Sequence, residues 1–139
     1  MVFFINVLKI ARLVSLKSGE FKSVYESHNA RVDKYLVMYS VKNGLELNRV
    51  GISVSRKVGN SVARHRLTRL VRESFRSISE EFATPYDIVV VVKPSIKHRL
   101  NDKDNPLKME EMRSFVSRLA KKHGLIAGEE DHNGRDKGL

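Results

Sequence analysis

The chain has 139 residues, 41% of them hydrophobic, and no cysteine. That length suits one domain with a single core, and the missing thiols exclude disulfide staples, thiolate metal sites and a cysteine nucleophile while agreeing with a reducing, cytoplasmic setting. With 26 Lys and Arg against 16 Asp and Glu the formal net charge is +10, which favours a polyanionic partner, either nucleic acid or an anionic membrane surface.

The opening segment, MVFFINVLKIARLVSLK, is the one stretch that invites a membrane or targeting role. Its apolar run, broken by Asn6, ends at Lys9, short of the roughly 18 to 20 residues that cross a bilayer. It also lacks a leading basic region and a small-residue cleavage site. A short amphipathic helix or an unstructured start fits it, so residues 1–14 are read as an extension with no membrane role. In Ser18 to Tyr25 the spacing of Phe21, Val24 and Tyr25 predicts a short helix. Lys34 to Lys42 (KYLVMYSVK) and Arg49 to Lys57 (RVGISVSRK) are strand-like, and Asn43-Gly44 between them predicts an antiparallel hairpin.

Asn60 or Ser61 caps a helix that runs to about Ser79. Tyr86 to Lys93 (YDIVVVVK) is an unbroken β-branched run stopped by Pro94, and so apolar a strand belongs at the centre of a sheet with both faces covered. Lys93 to Pro106 reads as a polar loop. A last helix spans about Leu107 to Lys122, with Leu107, Met112, Phe115, Val116 and Leu119 on one face and Gly124 at its stop. The polar tail 127–139 predicts disorder, which leaves residues 15–126 as the domain.

Charge is concentrated in one part of this pattern. Between Arg49 and Arg76 eight basic residues face one acid, Glu73, a net 8 − 1 = +7. At helical spacing His65, Arg69, Arg72 and Arg76 share a strip, opposite Ala63, Leu67, Leu70, Val71, Ser74 and Ile78. Arg66 lies on the flank, while Arg64 falls on the apolar side within the first turn, where it is able to point back along the entering chain. Guanidinium groups so placed meet successive phosphates with a salt-dependent affinity. Gly59 relaxes the backbone ahead of the helix, and the first-turn N–H groups beside Arg64 and Arg66 form a second anion site. A merely solvated basic face is the alternative, and the scarcity of intrahelical acids argues against it.

Chemistry-bearing clusters are weak elsewhere. The five histidines (His28, His65, His98, His123, His132) include no two at metal-ligand spacing. Asp102-Lys103-Asp104 lacks the glycine and distal glutamate of a calcium loop. No serine stands in a nucleophile-elbow context, so no catalytic or metal-binding residue is assigned.

The run RVGISVSRKVGNSVARHRLTRLVRESFR resembles the signature of the bacterial ribonuclease P protein component. It has the strand ending in a Ser-basic-basic turn, the Gly-Asn step, the paired-arginine helix and the Arg-Glu pair. LKSGEFKSVY, YDIVVVVKP and the closing amphipathic helix extend the likeness over about Leu16 to Ile126. The chain departs from that pattern at His65, where asparagine is usual, at Thr68, where lysine is usual, and in its apolar start. His65 still offers a hydrogen bond to phosphate or ribose.

The resemblance implies an α+β fold, a single compact domain of order αβββαβα. Its small mixed sheet would carry a parallel central pair with a left-handed crossover, as in the second domain of ribosomal protein S5. It implies a protein subunit that assists a catalytic RNA in removing the 5′ leader from precursor tRNA. The Mg²⁺ would be bound by the RNA and no cofactor by the protein, and neither DNA nor membrane is expected as a partner. Matched onto this chain, the RNA-binding set is Arg56, Lys57, Asn60, Arg64, His65, Arg66, Arg69, Arg72 and Arg76. The leader cleft is Phe21, Tyr25 and Tyr39, with Val37 and Ser53 beside them and Lys57 near. Aromatic side chains there suit unpaired bases, each stack contributing about 1 to 3 kcal/mol; Phe21 suits a core position equally well. Two other classes stand beside this reading, a general structured-RNA or ribosome-associated binding module without processing activity and a stand-alone nuclease.

Overall fold

A computed structural model describes residues 14–82 and 85–126 of the chain. Its strands are β1 (Val14–Ser15), β2 (Ala30–Val32), β3 (Leu36–Lys42), β4 (Arg49–Val54) and β5 (Tyr86–Val92). Its helices are α1 (Ser18–Glu26), α2 (Ser61–Ile78), α3 (Lys97–Leu100) and α4 (Met109–Lys122). The strands make one mixed sheet in the order β1-β4-β5-β3-β2. The architecture is therefore α+β, with β1, β2 and α3 as short elements that the sequence pattern did not announce. Of the expected N-terminal extension only Val14 is among the described residues, and the expected disordered tail lies outside them.

The all-apolar run takes the middle of the sheet. Ile88, Val89 and Val90 are fully buried, and β5 pairs antiparallel with β3 and parallel with β4. The expected hairpin between the β3 and β4 segments is therefore wrong. The chain does turn there, with Gly44 at φ 68°, but β5 lies between the two strands. A strand buried on both faces needs a hydrogen-bonded neighbour along each edge, and β3 and β4 supply them. Asn43 strengthens this arrangement by donating to Asp87 Oδ1 of β5 at 2.9 Å. The antiparallel hairpin that does form joins β2 to β3.

A second correction concerns the polar loop. Residues 94–100 form a 3-10 turn (Pro94–Ile96) continuing into α3, because Pro94 is preset for a first helical position and Ile96 is fully buried. In the same way β4 stops at Val54, so Arg56 and Lys57 belong to a turn closed by Val58 N–H donating to Ser55 O at 3.1 Å.

Helices cover the two sheet faces unequally. On one face Leu36, Met38, Val50, Ile88 and Val90 pack against Leu67, Val71 and Phe75 of α2 and Met112, Val116 and Leu119 of α4. On the other face α1 is, among the described residues, the one helix over a smaller cluster of Leu16, Val24 and Val89, edged by Phe21, Tyr25, Tyr39, Val41 and Val91. The last turn of α4 is pinned to β3 through His123, whose Nε2 donates to Met38 O at 2.7 Å while Nδ1 accepts from Ser40 Oγ at 2.8 Å. Burial holds the His123 pKa below its ordinary value, the Met38 carbonyl opposing and nearby Arg31 adding to the depression.

Candidate nucleic-acid interface

The basic helix begins where Asn60 Oδ1 accepts the Ala63 N–H at 2.9 Å, satisfying one of the donors that a helix start leaves open. Its buried face is Leu67, Val71, Ser74, Phe75 and Ile78; of the predicted set, Ala63 and Leu70 are only partly buried, and Phe75 is added. Opposite lie His65, Arg69 and Arg76, all exposed, and the partly exposed Arg72. Just ahead, Arg56 and Lys57 project from the exposed turn. All nine predicted RNA-binding residues thus fall on this turn and helix.

Within that surface the cations differ in their tethering. Arg72 Nη2 donates to Ser15 Oγ at 3.1 Å, Arg66 Nη2 to Leu107 O at 2.8 Å and Arg64 Nε to Gly59 O at 3.2 Å. Such neutral partners orient a guanidinium and leave its charge intact. Arg64 does point back to the entering chain, away from the core. Arg76 is paired with Glu73 at 3.0 Å. Arg64 and His65 also line a depression of about 250 Å³ with Ile52, Val54, Ser61 and Thr68. The Thr68 hydroxyl is turned inward, donating to Arg64 O at 2.9 Å.

Arg49 behaves otherwise. Its Nε and Nη2 donate to the two oxygens of Asp87 at 2.8 and 2.7 Å, and its Nη1 to Glu20 of α1. Asp87 above all raises the Arg49 pKa, partial burial opposing and Glu20 adding to the rise. Of the eight cations in the basic segment, 8 − 2 = 6 therefore have no acid partner among the described residues once Arg49 and Arg76 are set aside.

The opposite sheet face carries the residues predicted to line the cleft. Strand register places Gly51, Val89, Tyr39 and Ala30 in one row and Ser53, Val91, Val37 and Val32 in the next. Phe21 lies directly on Gly51, where an added Cβ would come within 2.3 Å of its Cζ. Tyr25 meets Tyr39 edge-on, with ring centroids 4.9 Å apart. Desolvation raises the Tyr25 pKa, a Ser53 hydroxyl opposes and the Tyr39 phenol adds to the rise. The structure thus brings Phe21, Tyr25, Val37, Tyr39 and Ser53 to one face. Sequence reasoning missed Gly51 and Val91 as its floor and Arg49 as the tie that fixes α1 over it; strand alternation was the available signal, since Arg49, Gly51 and Ser53 share a parity.

Among the described residues no three His, Asp or Glu side chains gather as a metal site. Asp102 Oδ1 instead accepts the Asp104 and Asn105 N–H groups, each at 3.1 Å.

With the basic helix packed on one sheet face and the aromatic residues on the other, the chain can be set beside known proteins. The Ribonuclease P family model fits residues 10–120. The chain belongs to the ribonuclease P protein family. It is 44% identical over 117 residues to the ribonuclease P protein component of Lachnoclostridium phytofermentans, covering 84% of this chain and 94% of that one. With the same component of Alkaliphilus metalliredigens the identity is 39% over 111 residues, covering 80% and 93%. The solved RNase P protein of Thermotoga maritima superposes with a TM-score of 0.67 at 26% identity, over 77% of this chain and 96% of that one. The Staphylococcus aureus RNase P protein, at 23% identity and a TM-score of 0.68 over 83% and 99%, shares the fold. As a ribonuclease P protein the chain is an RNA-binding subunit acting in tRNA processing, a more specific role than that of a general RNA-binding module. No helix among the described residues is long and apolar enough to cross a membrane.

Proposed function

We propose that this ribonuclease P protein docks on the RNA subunit through the turn at Arg56 and Lys57 and the outer face of α2. It would hold the 5′ leader of precursor tRNA against the cleft of Phe21, Tyr25 and Tyr39, in the cytoplasm where both RNAs are met. The observation that carries this reading is the division of α2, with one face packed into the core and a row of cations on the other.

The roles follow from the side chains. Arginine is permanently charged and orients its donors in a plane, so the strip binds phosphates and releases their counterions. Tyrosine rings half-buried beside a small-residue floor accept stacked bases of any sequence. Guanidinium and phenol groups of these kinds bind and orient, and neither is a general base at neutral pH. By the family likeness, hydrolysis would fall to the RNA subunit and the Mg²⁺ it binds, while the protein contributes positioning and charge neutralisation.

Reconstitution tests this directly. The protein added to a bacterial ribonuclease P RNA at low Mg²⁺ should restore leader removal, because its cations replace part of the metal's screening of RNA against RNA. RNA binding without any stimulation of cleavage would overturn the proposal in favour of a general RNA-binding module.

A further inference from the structure

The cleft does not end at its aromatic residues. Of the two rows that cross the α1 face of the sheet, the first lies beneath Phe21 and Tyr25, and the second, Ser53-Val91-Val37-Val32, is only partly covered. Adjacent strands are about 4.8 Å apart, so the row runs roughly 14 Å from β4 to β2. It finishes at Val32, 56% exposed on an edge strand, an apolar side chain continuous with the cleft floor and covered by nothing among the described residues.

Beyond that edge the surface becomes cationic again. The last turns of α4 lie against β2, with Arg31 Nε 3.5 Å from Lys122 O and Arg118 paired to Asp33 at 3.1 Å while half exposed. Ser114, Ser117, Arg118, Lys121 and Lys122 line a depression of about 360 Å³ with no acid among them. Together with Arg31 and Lys34, and counting Asp33, this edge carries 5 − 1 = +4. It lies at the β2 edge of the sheet, beside α4 rather than on the outer strip of α2, and beyond the nine residues assigned to RNA-subunit docking.

We propose that α4 and the β2 edge form a second leader-binding surface: a single RNA strand leaving the aromatic cleft passes over Val37 and Val32, rounds β2 and lays its phosphates on Lys121, Lys122 and Arg118. This rests on the leader cleft proposed above. The apolar row gives sugars and bases a surface to cross, the serine hydroxyls donate to phosphate oxygens, and the ammonium groups make the contact salt-dependent. Continuity with the cleft assigns the surface to the leader rather than to another RNA segment. Leader length then becomes a determinant of affinity.

The test uses the reconstituted holoenzyme and precursor tRNAs with leaders of about 4 and about 16 nucleotides, the range of single-strand site sizes, beside mature tRNA. Lys121→Gln with Lys122→Gln, which leaves the Arg118–Asp33 pair intact, should bind mature tRNA and the short leader as wild type does. It should lose the extra affinity of the long leader. At a slope of about 0.7 for each of the two phosphates, a fourfold rise in salt should weaken the wild-type long-leader complex about sevenfold more than that of the variant. An equal loss for mature tRNA, or no loss with the long leader, would overturn the inference. Tyr39→Ala in the same assay separates the two claims: if it leaves leader discrimination untouched the cleft itself fails, whereas if it abolishes discrimination and the lysine variant does nothing, only the α4 surface fails.

Discussion

Two helices on opposite faces of one sheet use their charges in opposite ways. On α2 the arginines point outward and are tethered mainly by a carbonyl or a hydroxyl, so their charge stays available. Beneath α1 the charges close on one another, with Arg49 bridging Glu20 and Asp87. Both sets of cations come from a single basic run of sequence. The contrast teaches that charge density locates a binding region, and that the partner of each cation decides which residues do the binding.

The largest expected effect tests the closed set. Arg49→Ala leaves the Asp87 carboxylate, 9% exposed in its side chain, without its charged donors, and chemical unfolding should show a loss of about 3 kcal/mol, the lower end for breaking a buried pair. The salt dependence of RNA-subunit binding by the folded variant should not change. A lower slope would place Arg49 in the interface and erase the contrast between the two helices.

The aromatic cleft comes next. Tyr39→Ala should cost about 1 to 3 kcal/mol of affinity for precursor tRNA and spare mature tRNA, as removal of one stacking partner does; equal losses for both would count against the assignment. Gly51→Ala drives a methyl into the Phe21 ring and should destabilise the fold by roughly 1 to 2 kcal/mol through overpacking. It should also lift Phe21 from the floor, visible as a changed environment for its ring resonances.

The smallest effect concerns pH. Burial lowers the folded-state pKa of His123 below that of the unfolded chain, so between the two values the unfolded state binds more protons. Its contribution to stability is complete above about 6.5, the ordinary value, and is lost as pH falls through that value toward the folded one. Melting curves at neutral and mildly acidic pH should show a larger drop for wild type than for His123→Gln. Parallel drops would mean that His123 does not titrate across that window.

Much of this was legible in the chain, and the exceptions have physical causes. The β5 run, the Asn60 cap and the opposed faces of α2 are local signals of burial, capping and periodicity. The mistaken hairpin at Asn43-Gly44 shows where local signals stop: the turn is real, but which strand lies beside β3 depends on β5, more than forty residues later, needing two edges. Short β1 and β2 leave too few residues for an alternation to be read. That Phe21, Tyr25, Val37, Tyr39 and Ser53 share one face was legible through the family likeness, whereas Gly51 under Phe21 and Arg49 on Asp87 are contacts between elements that no window of sequence contains.

The most direct measurement is the binding of the RNA subunit by wild type and by Arg69→Ala with Arg72→Ala, followed as the logarithm of affinity against the logarithm of salt concentration. Both side chains lie outside the core, so the variant should keep its melting temperature. If the α2 strip docks on RNA, binding weakens and the slope flattens by about 0.7 to 0.9 for each phosphate left without its arginine. An unchanged slope in a folded variant would contradict this and remove the α2 strip from the interface.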